Sequence, residues 1–533
     1  MVEMKLVESP RARVLLVYSV PQTPQYPLWA PLEMFTIATA LMNAGYAVTL
    51  VDMRAGDEAR AELEARLPGA LFVGVSVKFG DQLGNALRDL ERVKHLRPEV
   101  PVVAGGWFAS LFPESLFESP LVDVVISGPG DFNVVEVADR LLEQRSLAGI
   151  AGVSAREQGK RVSTPFGHLP DIRKTHRIPY ETVNIARYLH PHGWINAFTS
   201  RGCPGECTFC AIYCLDPKRW SALQAERVVD EWEELARLGA RAIKVMDTDY
   251  CADLRRIEAI ARELLRRGLD LRYEVLGRHW NLRAMSDDLV RLLRRSGLTE
   301  IEVGIESGSQ RVSDSIKKKL DVSEVPATAR RFTAGGIRLK LNFIFGLPGE
   351  EREDLRKTFD LIRELLTLGD DAVRLQLFRY TPMPGGDKAQ DDVWIQRTTG
   401  KAQLSLQELV DFPVIDMEPG RMFWISERHE RIVKRAYFFY GPLAFIPSNC
   451  DRDFGHRRWQ KVLRLLRPLA RWRVRHMRFE FPFEKWLNDR FGFPLVHASD
   501  DGINGPDDLL PSPPMGDTFN PRAPLEQPAA RPA

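Results

Sequence analysis

The chain has 533 residues, of which 44% are hydrophobic, and this length predicts two or three domains rather than one core. Its 74 lysines and arginines nearly balance its 72 aspartates and glutamates, so no basic field indicates a nucleic-acid partner. No apolar run reaches the roughly 20 residues of a membrane span, and no secretory signal is predicted. Six cysteines, three of them in one loop, do not form the pattern of a disulfide framework, so a cytoplasmic location is expected.

The first predicted domain, residues 1–145, alternates apolar strand-like segments with amphipathic helical ones. The predicted strands are Val14–Tyr18, Ala47–Asp52, Leu71–Val77, Val100–Ala104 and Val122–Ser127. The predicted helices include Leu32–Asn43, Asp81–Leu96 and Phe132–Glu143. Continuous β-branched strands separated by helices indicate a parallel sheet covered on both faces, here a flavodoxin-like doubly wound α/β fold. Such a fold binds ligands at the carboxyl ends of its strands.

Small residues follow three of these strands at the expected ligand edge. They are Ser76, Gly80, Gly105, Gly106 and Gly128, with Trp107 beside them. A glycine lets the backbone approach a ligand closely, although tight turns would use the same residues. The pattern by itself leaves both explanations open.

Residues 146–190 are predicted to be a linker with one hairpin, and residues 191–385 form a second β/α series. Its predicted strands are Ile195–Thr199, Ala242–Met246, Tyr273–Leu276, Glu300–Gly304, Leu339–Phe345 and Arg374–Phe378. Six units are too few for a complete eight-stranded barrel, so a partial (β/α)6 barrel is expected. Barrel chemistry lies at the carboxyl ends of the strands.

Three closely spaced cysteines follow the first strand of this second series. Cys203, Cys207 and Cys210 have the spacing C-x3-C-x2-C. Thiolates are soft ligands that select iron–sulfur clusters, zinc or copper. Three thiolates on one loop favour a cubane iron–sulfur cluster with one iron left open for a small molecule. The alternative is a zinc site with Cys214 as the fourth ligand.

This motif, with an aromatic residue before its last cysteine, resembles the radical S-adenosylmethionine enzymes. Three segments of the first domain, residues 30–33, 74–80 and 104–114, resemble the cobalamin-binding domain of the cobalamin-dependent members of that family. The resemblance covers roughly the first four-fifths of the chain. It implies a [4Fe-4S] cluster, S-adenosyl-L-methionine and cobalamin as cofactors. One departure is the absence of a D-x-H-x-x-G loop, since His95, on a predicted surface helix, is the only histidine before the linker.

The resemblance also implies roles for individual residues. Cys203, Cys207 and Cys210 would bind the cluster, with Phe209 shielding it from water. Glu306, in Gly304-Ile305-Glu306-Ser307-Gly308, would accept the ribose hydroxyls of S-adenosylmethionine. In the first domain, residues 76–80 would lie under the corrin and residues 105–107 near its nucleotide tail.

Three further residues at strand ends have two explanations each. Asp247 would contact the methionine amino group, but an aspartate there also suits a helix N-cap. Arg278 would pair with a carboxylate or line the substrate cavity. Gly346, in Gly346-Leu347-Pro348-Gly349, would pack near the adenine or form a plain turn.

The C-terminal part divides into a mostly helical region, residues 386–499, and a tail, residues 500–533, predicted to be disordered. The helical region is rich in aromatic residues, for which a core role is favoured over a substrate platform. Residues 457–478 contain nine lysines and arginines and no acidic residue. A solvated cationic face is favoured for this stretch over association with a membrane surface.

The function that the resemblance implies is methyl transfer to an unactivated carbon of a secondary-metabolite, lipid or tetrapyrrole substrate. A small-molecule substrate and an external reductant such as flavodoxin or ferredoxin are the expected partners. No cysteine precedes Cys203, which argues against methylthiotransferases with a second cluster. Two alternatives stay open, an oxidative cyclase or ring-rearranging enzyme without methyl transfer, and a non-catalytic cobalamin-binding sensor.

Overall fold

The computed structural model of the chain describes most of its first 381 residues and parts of its C-terminal region. The described residues are 7–20, 29–190, 192–210, 219–369, 372–381, 404–411, 425–445 and 457–480, with Met4, Ile212, Lys401, Phe483, Glu484 and Trp486. Two sheets and a set of C-terminal helices make up this part of the chain. None of the helices described is long and apolar enough to cross a membrane.

The first sheet contains five parallel strands in the order β2-β1-β3-β4-β5. Their bounds are β1 Arg13–Tyr18, β2 Ala47–Asp52, β3 Ala70–Ser76, β4 Val102–Gly105 and β5 Val124–Ile126. This order is the flavodoxin-like one, and it confirms the predicted fold of the first domain. The strands are continuous in apolar residues because both faces are covered, and all six residues of β2 are buried.

Helices cover both faces of this sheet. They are α1 Leu32–Asn43, α2 Asp57–Arg66, α3 Asp81–Leu96, α4 Trp107–Leu111, α5 Pro113–Leu116 and α6 Val134–Leu142. Successive residues of a strand point to opposite faces, so Leu16 joins the core beneath α1 and α6 while Leu15 joins the core beneath α2 and α3. The carboxyl edge between these layers is the expected ligand edge.

A hairpin extends the first sheet beyond its predicted end. Its strands, β6 Val153–Glu157 and β7 Lys160–Ser163, pair antiparallel with β5 and with each other. The free edge of β5 exposes backbone groups that the hairpin satisfies. The predicted hairpin therefore forms, but it belongs to the sheet, and a domain boundary at residue 145 would divide a continuous seven-stranded sheet.

The second sheet contains six parallel strands in sequence order, β8-β11-β12-β13-β14-β15. Their bounds are β8 Trp194–Ala197, β11 Ala242–Val245, β12 Arg272–Gly277, β13 Leu298–Glu306, β14 Arg338–Phe345 and β15 Val373–Arg379. This arrangement confirms the predicted six-unit partial barrel. A short antiparallel ribbon, β9 Ser200–Gly202 with β10 Trp220–Ala222, flanks the cysteine loop.

Seven helices lie between or after these strands. They are α7 Ala225–Arg237, α8 Leu254–Arg267, α9 His279–Ala284, α10 Asp287–Arg295, α11 Gln310–Ser315, α12 Val325–Ala334 and α13 Arg352–Leu366. Their ends follow local signals in the sequence. Helix α8, for example, begins after Asp253, whose side chain accepts hydrogen bonds from the backbone amides of Arg255 and Arg256. It ends at Gly268, which has a left-handed backbone conformation.

The C-terminal region is helical where it is described. Its helices are α14 Leu406–Val410, α15 Glu427–Arg435, a π-helical turn Ala436–Tyr440, α16 Gly441–Phe445 and α17 Arg457–His476. Tyr437 and Tyr440 are buried, and the Tyr437 ring lies 6.3 Å from that of Phe345 on the barrel, as a core role predicts. Two predictions, those for Cys214 and for the tail 500–533, fall outside the described residues.

Candidate active site

Asp247 anchors the start of the cysteine loop. Its carboxylate follows β11 and accepts hydrogen bonds from the Thr199 amide (2.5 Å) and hydroxyl (2.6 Å). It also accepts bonds from the Ser200 amide (2.9 Å) and hydroxyl (2.7 Å). The observed role of Asp247 is thus to orient the loop that leaves β8, and its contact with a methionine amino group stays a prediction.

Arg278 joins two of the three cysteine side chains. Its Nη1 lies 3.4 Å from Cys203 Sγ, and its Nη2 lies 3.3 Å from Cys207 Sγ. Burial lowers the pKa of Arg278, but the Cys207 and Cys203 sulfurs raise it, and the balance lies above the ordinary value. The structure thus brings Arg278 to the cysteine loop, where its positive charge offsets the negative charge of thiolates.

The cysteine loop has a donor set that fits a thiolate-bound cluster. Cys207 is buried, whereas Cys203 and Cys210 are partly exposed. Among the described residues, no three histidine, cysteine, aspartate or glutamate side chains converge on a single ion. Three thiolates on one loop with a cation beside them suit an iron–sulfur cubane held at three corners, since charge near the sulfurs tunes such clusters.

The far side of the cysteine loop is closed by the segment after α11. The Thr208 amide donates to the Ile316 carbonyl at 3.1 Å. Phe209 packs at the edge of a small apolar cluster that contains Ile316 and Leu347. This position agrees with the predicted role of Phe209 in screening the loop from water.

Glu306 lies at the carboxyl end of β13 with its carboxylate paired to Lys318. The Lys318 Nζ donates to Glu306 Oε1 at 2.5 Å, and both side chains are buried. Glu306 has a φ of +67°, a conformation that side chains rarely adopt and that functional sites often contain. A Cβ at Gly304 would collide with the Glu306 carboxylate and the Lys318 amine in their present positions. Lys318 Nζ also lies 5.7 Å from the Phe209 ring, which joins Glu306 to the cysteine loop.

A buried pair that sequence reasoning missed supports the turn after β14. Glu350 accepts a hydrogen bond from the Gly346 amide at 3.3 Å, and its Oε1 lies 2.8 Å from His429 Nε2. Burial raises the pKa of Glu350, while His429 lowers it. His429 comes from α15, so the C-terminal region positions the turn predicted to lie near the adenine. A lone histidine on a polar helix gave no signal, because its partner is 79 residues away.

Asp249 is a second buried acid beside this site. It follows Asp247 at the end of β11, and the Asn281 amide nitrogen lies 3.2 Å from each of its carboxylate oxygens. Burial raises the pKa of Asp249 to about 6, against the opposing effects of Arg278 and Asn281. This part of the barrel therefore contains a carboxyl group that titrates close to neutral pH.

A cavity of about 410 Å³ joins the ligand edge of the first sheet to the start of the cysteine loop. Its deep part is apolar and lies between the sheet and the helices α1 and α6. The residues there include Leu16, Phe72, Val103, Ile126, Met34 and Val134. Its barrel side is formed by Asn196, Phe198, Ser200, Arg201, Ile212, Met246 and Thr248. Both predicted ligand edges thus face one space.

Direct contacts hold the two edges of this cavity together. Arg201 Nη1 donates a hydrogen bond to Asp131 Oδ1 at 3.0 Å, and Arg201 Nη2 lies 3.0 Å from Asp131 Oδ2, which forms an ion pair between the cysteine loop and the loop after β5. Asn196 and the backbone of Ala30 exchange two hydrogen bonds of 2.9 Å. These contacts lie beside the cavity, and they therefore fix the relative position of the two domains there.

Most of the residues predicted in the first domain line this cavity. They are Ser76, Gly105, Gly106, Trp107 and Gly128. Gly106 has a φ of +97°, and a Cβ on it would lie 2.8 Å from Ser76 Oγ and 2.9 Å from the Val77 carbonyl. At Gly128, a Cβ would collide with the Phe166 ring. Both glycines are thus required by close approach as well as by conformation.

Gly80 is the exception among these residues. It is not among those that line the cavity, and its positive φ of 63° serves to begin α3. Its observed role is the tight turn that the sequence left open, so a position under the corrin stays a prediction for Gly80. His95 is exposed on α3, as predicted, and no histidine is among the described residues that line the cavity.

The deep part of the cavity fits an apolar group held by shape. Its walls are apolar side chains and backbone of glycine residues, and its mouth is polar. The absence of a D-x-H-x-x-G motif in the sequence agrees with this lining. Cobalamin held without a histidine ligand suits these residues.

Two family models match the chain at the two regions just described. The B12 binding domain matches residues 25–138, and the Radical SAM superfamily matches residues 198–362. The first match spans β2 to β5 of the first sheet, and the second spans the cysteine loop and strands β11 to β14.

Similar proteins are named for both of the reactions considered above. The chain is 27% identical over 366 residues to an uncharacterized methyltransferase of Pyrococcus horikoshii, covering 66% of this chain and 75% of that protein. It is 25% identical over 450 residues to the anaerobic magnesium-protoporphyrin IX monomethyl ester cyclase of Rubrivivax gelatinosus, covering 81% and 77%. Among solved structures, the cobalamin-dependent S-adenosylmethionine radical enzyme OxsB, with aqua-cobalamin and S-adenosylmethionine bound, has a similar fold. The TM-score is 0.68 at 16% identity, over 94% of this chain and 78% of that one.

Proposed function

This chain is a cobalamin-dependent radical S-adenosylmethionine enzyme, and we propose that it transfers a methyl group to an unactivated carbon of a small-molecule substrate. Its cofactors are a [4Fe-4S] cluster, S-adenosylmethionine and cobalamin. When bound, they supply reductive cleavage of a sulfonium and a carrier for the methyl group. The protein binds and orients them and excludes water.

The shared cavity is the observation that carries this proposal. Methyl transfer requires the methyl carrier and the site of radical formation to face the same substrate. The cavity is lined by Gly106 and Trp107 on one side and by Ser200 and Arg201, at the start of the cysteine loop, on the other. A carbon held at its mouth would be within reach of both cofactors.

Individual residues have distinct roles in this proposal. Cys203, Cys207 and Cys210 bind the cluster. Glu306 accepts hydrogen bonds from the ribose hydroxyls of S-adenosylmethionine. Gly346 packs near the adenine through the turn that Glu350 and His429 support.

Two charged residues would keep these groups in place. Arg278 offsets the charge of the Cys203 and Cys207 thiolates, to which it is hydrogen bonded. Asp247, through its bonds to Thr199 and Ser200, fixes the direction in which the cysteine loop leaves β8. An external reductant such as flavodoxin or ferredoxin would supply the electron.

The similarity to the methyltransferase of Pyrococcus horikoshii supports methyl transfer. The proposed substrate belongs to the secondary-metabolite, lipid or tetrapyrrole classes, as the resemblance to this enzyme family implies. Oxidative cyclisation is the second candidate, because the similarity to the cyclase of Rubrivivax gelatinosus extends over a larger share of this chain.

The test is the fate of a labelled methyl group. Protein reconstituted without oxygen with iron, sulfide and hydroxocobalamin is given a reductant, S-adenosylmethionine with a deuterated methyl group, and candidate substrates. Methyl transfer predicts S-adenosylhomocysteine and 5′-deoxyadenosine together, with the labelled methyl group in the product. A cyclase would form 5′-deoxyadenosine without S-adenosylhomocysteine, which would overturn methyl transfer. A sensor would cleave no S-adenosylmethionine.

A further inference from the structure

One face of α17 exposes large apolar side chains to solvent. Leu465, Leu469 and Trp472 are 78%, 41% and 49% exposed. They are spaced four and three residues apart, so helical geometry puts them in one row. Two more exposed aromatic residues, Phe483 and Trp486, stack on each other 5.8 Å apart just beyond the helix.

These side chains are concentrated in a small part of the molecule. Ten large apolar residues are exposed in the described part of the chain, and five of them lie within residues 465–486. The other five are distributed over the two domains with the sheets. Single exposed apolar residues are ordinary on a protein surface, whereas a contiguous group of this kind indicates an interaction site.

The same helix has a row of basic residues beside the apolar row. Arg457, Arg464 and Arg471 recur every seven residues, and Arg475 follows Arg471 by one turn. Spacings of seven and four bring these four positions onto one side of the helix, next to the apolar row. Arg471 and Arg475 are exposed, and the stretch from 457 to 478 contains no acidic residue.

The opposite face of α17 fixes the helix to the protein. Ala470 and Val474 are buried in the core that α17 shares with the barrel. Arg352, at the start of α13, donates to the carbonyl of Met477 at 2.6 Å. Arg473 donates to Glu484 at 2.6 Å, which holds the segment with Phe483 and Trp486 against the end of α17. The exposed face is therefore part of an ordered helix.

We propose that α17 binds the surface of an anionic lipid bilayer. The apolar row (Leu465, Leu469 and Trp472) would enter the region between headgroups and acyl chains, where tryptophan is favoured. Arg471 and Arg475 would contact negatively charged headgroups. Charge complementarity favours this partner, because a solvated cationic face does not require an apolar row beside it. This inference is independent of the methyl transfer proposed above.

The test measures sedimentation of the full-length reconstituted protein with sucrose-loaded vesicles. One set contains phosphatidylcholine only, and the other contains phosphatidylcholine with phosphatidylglycerol. The expected result is binding to the anionic vesicles that weakens with added salt, and little binding to neutral ones. The triple variant Leu465→Gln, Leu469→Gln, Trp472→Gln should lower the partition coefficient about tenfold or more. The double variant Arg471→Gln, Arg475→Gln should bind less and lose much of the salt dependence.

The matched control is Leu96→Gln with Leu142→Gln, which changes two leucines of the first domain that are 41% and 38% exposed. It should bind vesicles as the unchanged protein does. Circular dichroism and the absorbance of the reconstituted cluster confirm that each variant folds. Equal binding by the triple variant, or no binding by the unchanged protein, would overturn the proposal. A dimer that the triple variant abolishes, without vesicle binding, would instead assign the face to a second copy of the chain.

Discussion

The two ligand edges of this molecule face one cavity but are built from opposite chemistry. The edge of the first sheet consists of apolar side chains and close backbone approaches, as at Gly106 and Gly128. The edge of the barrel consists of buried charged groups, such as the pair Glu306 and Lys318 and the contacts of Arg278 with two cysteines. The first edge is suited to select a ligand by shape, and the second by charge and hydrogen bonding.

The difference continues into the interior of the two domains. The core of the first sheet is apolar on both faces. In the partial barrel, by contrast, ionised side chains lie in the interior. Lys244 pairs there with Glu274 at 3.2 Å, and Lys340 lies 3.5 Å from Glu302. Substitutions should therefore act by steric exclusion at the first edge and by charge at the second. Four experiments test this contrast.

The largest effect is expected at the cysteine loop. Cys207→Ser should abolish the [4Fe-4S] absorbance and with it the cleavage of S-adenosylmethionine, because a cubane held at three corners needs each thiolate. Iron and sulfide content after anaerobic reconstitution give the measurement. Cys251→Ala is the control, since Cys251 is also buried near this edge. In the described contacts, Cys251 touches none of the three cysteines of the loop. An intact cluster in Cys207→Ser would contradict the assignment.

Glu306→Gln should raise the apparent KM for S-adenosylmethionine by about tenfold to hundredfold, as expected for lost hydrogen bonds to a charged group. The formation of 5′-deoxyadenosine at varied S-adenosylmethionine gives this value. Glu258→Gln is the control, because Glu258 pairs with Arg262 at 2.7 Å on the exposed face of α8. Exposed pairs contribute little, so its KM should change by less than about threefold. Equal KM values for the two variants would contradict ribose binding by Glu306.

Gly106→Ala should weaken cobalamin retention by about tenfold or more, because its Cβ would press on Ser76 and Val77 at the cavity wall. Cleavage of S-adenosylmethionine should persist, since the change leaves the barrel edge untouched. Gel filtration followed by the cobalamin spectrum measures retention. In the control Gly149→Ala, φ is similarly positive at +85°, but no atom lies within 4 Å of the added Cβ. If both variants retain cobalamin equally, the prediction that an added side chain at the cavity wall excludes cobalamin by its shape is wrong.

The smallest expected effect is a pH dependence of the stability of the protein, which arises from Asp249 in the barrel. The pKa of Asp249 is about 6 in the folded protein, above the roughly 3.9 of an unfolded chain. The folded state thus binds more protons between these values, and the stability from this group is lost as the pH rises through 6. The loss is at most about 1.4 kcal/mol per pH unit. Asp249→Asn should remove this slope.

Thermal unfolding between about pH 5 and pH 7 tests this prediction, because the gap between Asp249→Asn and the unchanged protein should widen in favour of the variant as the pH rises. Asp253→Asn, at an exposed helix start four residues on, is the control and should leave the shape of the pH curve unchanged. Parallel curves for Asp249→Asn and the unchanged protein would show that burial does not raise this pKa.

Much of the fold was predictable from local sequence. The strand Ala47–Asp52 and the helices Leu32–Asn43 and Asp81–Leu96 have the predicted bounds, and both sheets have the predicted parallel arrangement. Hydrophobic period and β-branched content depend on neighbouring residues only, so they are legible without the fold. The hairpin Val153–Ser163 was predicted as an element but not as part of the first sheet, because pairing with β5 is not a local property.

The candidate site divides in the same way. The cysteine triad and the glycines of the first edge could be singled out in the sequence because their spacing or their position after a strand carries the signal, and Glu306 could be singled out because its segment resembles that of the family. The partners that orient them came only from the tertiary structure. Arg278 lies 75 and 71 residues from the two cysteines that it contacts, and His429 lies 79 residues from Glu350.

The sequence by itself determined the order of elements and the spacing of the cysteine loop that is predicted to bind a cluster, since both are short-range properties. Only the tertiary structure decided that Asp247 binds the cysteine loop, that Gly80 forms a turn, and that both ligand edges share one cavity. The physical reason is that hydrogen bonds and cavities between distant segments depend on how strands and helices pack in three dimensions, and no local pattern encodes that packing.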